Sequence, residues 1–188
     1  MTFANTLTAS RLIAVPLMLL SAWQRERGWF AWLLAYALLT DVLDGSIARA
    51  LGQDTAFGAR LDSIADAAVY LTAPVAALYV YPRFREHEWM TVVVILLSYV
   101  IPIVVGYVKY RRLTAYHTVA ARTAGVLLGL AALLFVTLGV TWPVRVGATV
   151  LVLSAIEEIA MTVVLPDWCP NVRTMAHALR MRSAATRS

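Results

Sequence analysis

Apolar residues run in blocks of about twenty along this chain, each block closed by a short cluster of charge, glycine or proline. After a polar lead over residues 1–6, the first block covers Leu7 to about Trp23 and is broken by Arg11 and Pro16. Arg25, Glu26, Arg27 and Gly28 predict a turn, and a second block runs from Trp29 to Leu51. A third covers Phe57 to Tyr81 with Pro74 inside it, and Pro82, Arg83, Arg85, Glu86 and Glu88 then predict a loop. A fourth runs from Trp89 to Val108 around Pro102 and ends at the basic cluster Lys109, Arg111 and Arg112. The fifth covers Thr118 to Val140 and the sixth Trp142 to Leu165. Each is near the length a helix needs to cross about 30 Å of hydrocarbon, so the pattern predicts six transmembrane helices, kinked at Pro74 and Pro102. Arg11, one turn into its span, is expected to snorkel to the interface. The segment Pro166–Ser188, with Arg173, His177, Arg180, Arg182 and Arg187, is too polar to span and reads as an interfacial or partly disordered tail.

Composition sharpens this picture. With 61% hydrophobic residues, 14% charged residues and a mean hydropathy of +0.72, the chain lies outside the range of soluble globular domains. The fold class is an all-α polytopic membrane protein, with residues 1–165 as one six-helix domain. The opening residues carry no pattern of a removable signal peptide, and Cys169 has no partner for an intrachain disulfide. Six spans put both termini on one side, where eleven of the sixteen Lys and Arg residues gather. The positive-inside bias makes that side cytoplasmic. Basic residues scattered among the loops form no stripe for nucleic acid, and the tryptophans and tyrosines near span ends suit an aromatic belt.

Within these apolar blocks stand Asp41, Asp44, Asp62 and Asp66. A carboxylate near the bilayer centre costs roughly 2.5–3.5 kcal/mol, so four of them require compensation. The stretch between them holds only Arg49 and Arg60, too few to pair all four. Helical spacing puts Asp41, Asp44, Gly45 and Ala48 on one face, and Gly58, Asp62 and Asp66 in a single i, i+4 row. Two antiparallel helices would then turn two carboxylates each into a cytoplasm-facing polar cavity, a donor set suited to one or two Mg2+ or Mn2+ ions. Gly45 and Gly58 allow close approach of a ligand, and Arg49 can grip a phosphate. Metal, arginine and small residues together suit a substrate with a pyrophosphate, while a spare carboxylate can take a proton from an attacking hydroxyl.

The pattern Asp41-x2-Asp44-Gly45-x2-Ala48-Arg49-x8-Gly58-x3-Asp62-x3-Asp66 resembles, at all eight fixed positions, the signature of the CDP-alcohol phosphotransferases, membrane enzymes of phospholipid synthesis. The resemblance implies that Asp41, Asp44, Asp62 and Asp66 bind two divalent ions, with Asp62 and Asp66 catalytic and Asp66 the candidate base. It implies that Gly45, Ala48, Arg49 and Gly58 line the CDP cleft. It also implies a homodimer of six-helix protomers that moves a substituted phosphate from a CDP-linked donor, in bacteria usually CDP-diacylglycerol, to a small polar alcohol and releases CMP. The opening Asn5-Thr6-Leu7-Thr8-Ala9-Ser10-Arg11, then Pro16, looks like the start of phosphatidylglycerophosphate and cardiolipin synthases, which implies glycerol 3-phosphate as acceptor. Ser63 and Ala67 stand where those enzymes usually carry Pro and Lys, and Leu61-Asp62-Ser63 is closer to phosphatidylserine synthases.

Other residues are weaker candidates. Arg111, Arg112 and Arg122 suit either orientation or a phosphate on the acceptor. At least one of Glu157 and Glu158 must face a cavity or a partner, and His117 lies beside the basic cluster. Serine, inositol phosphate, phosphatidylglycerol and choline are alternative acceptors. An aspartate-rich prenyltransferase and a divalent-cation transporter are the rival classes, the transporter having no need of the glycine, alanine and arginine at these gaps.

Overall fold

The computed structural model describes residues 3–50, 55–111 and 118–165, with side chains from Asn5 onward and excepting those of residues 44–50 and 56. Among the described residues it is all helix: α1 Phe3–Gln24, α2 Arg27–Ala50, α3 Ala56–Val80, α4 Pro82–Tyr110, α5 Val119–Leu138 and α6 Trp142–Val164. All but α2 combine the length and hydropathy needed to cross a membrane; α2 has the length but carries the acidic motif. The chain is an integral membrane protein. Large apolar side chains such as Ile13, Leu97, Val104, Leu130 and Leu153 are exposed for contact with lipid, and Trp23, Trp29, Trp89 and Trp142 are exposed near helix ends.

The helices form two compact units, one with α1, α2, α3 and the start of α4, the other with the rest of α4, most of α5, and α6. In the first unit α1 packs on both α2 and α3. Small residues make this approach possible, with Ala14, Ala22, Ala37, Ala65 and Ala76 buried alongside Met18, Phe30 and Val69. Gly58 is the tightest point: a Cβ there would lie 2.8 Å from Asn5 Oδ1 and 3.0 Å from Thr55 Oγ1. At the other end of α3, Tyr81 meets Phe30 edge-on at 6.1 Å and Arg27 at 5.5 Å. Between α1 and α2, Arg25 takes a left-handed conformation (φ 57°), donating to Ala22 O at 3.1 Å while Glu26 N donates to Ser21 O at 2.9 Å.

The segment expected to be a loop at Pro82–Glu88 is instead the start of α4. Proline lacks the N–H that a first helical turn leaves unbonded, and its fixed φ suits that position, so Tyr81 alone joins α3 to α4. Glu88 is buried there and accepts from Thr91 Oγ1 at 2.8 Å.

In the second unit α5 starts at a buried N-cap, Thr118, whose Oγ1 accepts from Ala121 N at 2.9 Å. It ends at Gly139, left-handed with φ 71°, so the fifth helix stops short of Val140. Gly147 lets α6 approach α5, since a Cβ there would lie 3.2 Å from Leu128 Cα. Lys109 Nζ donates to Thr162 O, Val163 O and Leu165 O at 2.7, 3.1 and 2.7 Å. Tyr110 Oη reaches Thr162 O and Leu165 O as well, so the end of α4 closes the carbonyls left open where α6 stops.

Candidate active site

The acidic site is built at one end of the first unit, where α1 and α3 begin and α2 ends. Thr55 caps α3 by accepting from Gly58 N at 3.0 Å, which sets the helix that carries Asp62 and Asp66 one turn apart. On α2, Asp41 follows Thr40, a buried residue whose hydroxyl bonds back to Tyr36 O and Ala37 O. Ser10 Oγ and Tyr36 Oη lie 2.6 Å apart and tie α1 to α2 beside the site.

Asp41, Asp62 and Asp66 come together: one oxygen from each lies within 4.8 Å of the others. Their side chains are nearly half exposed, at 47%, 44% and 44%. Three hard oxygen donors from two helices, converging and nearly half exposed, fit a divalent cation of the magnesium type.

Arg11 is also in the site, and this overturns the expectation that it snorkels. Its side chain is 1% exposed. Nη1 donates to Asp41 Oδ1 at 2.8 Å and to Asp66 Oδ1 at 2.5 Å, while Nη2 reaches Asp62 Oδ1 at 3.4 Å. At an effective dielectric near 20, two carboxylate oxygens 4.8 Å apart repel by about 3.5 kcal/mol before solvent screening. A guanidinium drawn to the interface would leave three such repulsions uncompensated; turned inward, it offsets them through a planar fork of donors.

The other sequence candidates divide three ways. Gly58 lies on the α3 row, but the space before its Cα is filled by Asn5 and by the cap Thr55, so its first role is to let α1 approach. Gly45 continues α2, whereas the side chains of Asp44, Ala48 and Arg49, and the whole of Arg112, lie outside the described residues. Arg111 and Arg122 belong to the second unit. Arg111 ends α4 in a left-handed conformation (φ 54°), its N–H on Tyr107 O at 2.8 Å, and Arg122 is exposed in the first turn of α5. Sequence reasoning missed Arg11 as part of the site. The available signal was a cation in the first span, at the depth and on the side of the acidic motif.

Fold and site together define a helical integral membrane protein whose clustered carboxylates fit a hard divalent cation. The model of the CDP-alcohol phosphatidyltransferase family matches residues 1–166, and the chain belongs to that family. It is 40% identical over 73 residues to the CDP-diacylglycerol--glycerol-3-phosphate 3-phosphatidyltransferase of Cereibacter sphaeroides, covering 37% of this chain and 33% of that protein. It is 32% identical over 142 residues to the phosphatidylinositol phosphate synthase of Mycobacteroides abscessus, covering 71% of this chain and 61% of that protein. The chain thus spans a third to three fifths of the length of these relatives. No solved structure matches it significantly.

Proposed function

We propose that the protein transfers a phosphatidyl group from CDP-diacylglycerol to glycerol 3-phosphate and releases CMP. The observation that carries this reading is the convergence of Asp41, Asp62 and Asp66, at the spacing of the family's motif, on one solvent-open site. The acceptor is supported by the likeness of the opening Asn5–Arg11 segment to phosphatidylglycerophosphate synthases and by the name of the Cereibacter relative. An inositol phosphate is the second reading, favoured by the longer match to the Mycobacteroides enzyme.

Asp41, Asp44, Asp62 and Asp66 would hold two Mg2+ or Mn2+ ions, which when bound would polarise the phosphoryl group and neutralise the leaving phosphate. By the family resemblance Gly45, Ala48 and Arg49 would line the CDP cleft, with Arg49 on a phosphate. Asp66 takes the proton of the acceptor hydroxyl as that oxygen bonds the phosphorus attached to diacylglycerol. The bond from that phosphorus to the bridging oxygen breaks, and CMP leaves with the electron pair. Arg111, Arg112 and Arg122 suit either the orientation of the chain in the membrane or a phosphate on the acceptor. Eleven of the sixteen basic residues on one side support a cytoplasmic site with both termini cytoplasmic, and the family resemblance supports a homodimer.

The test uses purified protein with CDP-diacylglycerol and Mg2+ or Mn2+, offered glycerol 3-phosphate, inositol 1-phosphate, serine, inositol, choline or phosphatidylglycerol separately. CMP release with glycerol 3-phosphate alone is the expected outcome. Release with inositol 1-phosphate instead moves the assignment to the second reading, and release with none of them overturns both.

A further inference from the structure

We propose that Arg11 is a resident counter-cation of the acidic site, which holds the carboxylates together in the metal-free protein and weakens their grip on a divalent ion. This inference rests on the metal-holding reading above. Arg11 comes from α1, outside the acidic motif, and touches a carboxylate of every described member of the cluster. It is buried behind them, whereas the carboxylates themselves are open to solvent at nearly half their surface. The guanidinium thus occupies the buried part of the three side chains and leaves their exposed part for a divalent ion.

A guanidinium cannot leave by losing its proton, so the positive charge is permanent. The packing of α1 also keeps it there: Asn5 presses on Gly58 two turns before Arg11, and Ser10 holds Tyr36 beside it. The three described carboxylates with one guanidinium carry a net charge of about −2, whereas the same carboxylates without Arg11 carry about −3 and attract a divalent ion more strongly. Arg11 thus opposes the ion electrostatically while ordering the ligands that receive it. The consequence is a site that stays folded when empty and binds its metal less tightly than its carboxylates alone would.

The experiment measures Mn2+ affinity of EDTA-stripped wild type, Arg11→Gln and Arg11→Lys in detergent, from the spin-resonance signal of free Mn2+, with thermal melting alongside. Arg11→Gln should bind Mn2+ about tenfold tighter or more, melt earlier than wild type in EDTA, and gain more melting temperature from Mn2+ than wild type does. Arg11→Lys keeps the charge and should stay within about threefold of the wild-type affinity. Unchanged or weaker binding in Arg11→Gln overturns the proposal and makes Arg11 a scaffold. If Arg11→Gln does not fold, Arg11→Lys decides: affinity outside the threefold range overturns the proposal, and affinity inside it supports it. Absence of Mn2+ binding by wild type sinks the metal reading itself, a separate result from binding that Arg11→Gln fails to tighten.

Discussion

Replacing Asp66 by Asn separates the two uses a membrane protein can make of a cluster of charges. In the structure Asp66 accepts from Arg11 at 2.5 Å and shares a 4.8 Å cluster with Asp41 and Asp62. The substitution weakens one charge-assisted hydrogen bond, worth about 1.5–3 kcal/mol. It also removes two like-charge contacts, each about 3.5 kcal/mol at an effective dielectric of 20 and about half that or less for side chains 44% exposed. The terms nearly cancel, and Arg11 keeps Asp41 and Asp62 as partners, so the metal-free variant should melt within about 3 °C of wild type. If Asp66 is the proton acceptor and a metal ligand, as proposed above, activity should fall by about 10³-fold or more. The assay is CMP release from CDP-diacylglycerol and glycerol 3-phosphate, paired with melting in EDTA. Wild-type-like turnover would remove Asp66 from catalysis, and a fall of more than about 10 °C would show that its role is structural.

Three further substitutions test other parts of the structure. Lys109→Met removes three donations to the end of α6 and leaves Tyr110 as its cap, and should cost about 2–3 kcal/mol, read as a drop of about 5–10 °C in detergent; an unchanged melting temperature would discount the contact. Gly139→Ala forces a side chain into the left-handed region at φ 71° and should cost about 1–2 kcal/mol by the same measurement, while equal stability would show that the α5 terminus relaxes. If Arg111 and Arg122 hold the acceptor phosphate, alanine at either should raise the acceptor KM about tenfold with little change for the donor, and equal effects on both substrates would make them structural.

Much of the fold was legible because the bilayer imposes a length on every span. Six apolar blocks became six helices, with Arg25 and Gly139 marking ends through left-handed geometry. The start of α4 was not legible, because a run of charge suits a loop and an opening helical turn alike. Arg83, Arg85 and Glu86 are charged, but behind a proline in the first helical position they form the opening turns of a helix, with Glu88 turned inward onto Thr91. A charged run beside a span thus reports position relative to the membrane better than it reports the end of a helix.

The site was legible for a different reason, and only in part. The aspartates lie on two neighbouring helices joined by a short linker, so their convergence follows from helical spacing, and the structure brings Asp41, Asp62 and Asp66 together. Arg11 lies thirty residues before Asp41 and on a third helix, so no local spacing connects it to them. Counting cations only between Asp41 and Asp66 left the charge of the site apparently dependent on metal alone. The membrane argument itself supplies the missing rule: where carboxylates are forced into an apolar layer, any arginine at the same depth on any span is a candidate partner, because inward pairing relieves both charges at once. Applied to this chain, that rule selects Arg11 from the first span, and the near-complete burial of its side chain beside three half-exposed carboxylates is the geometry it requires.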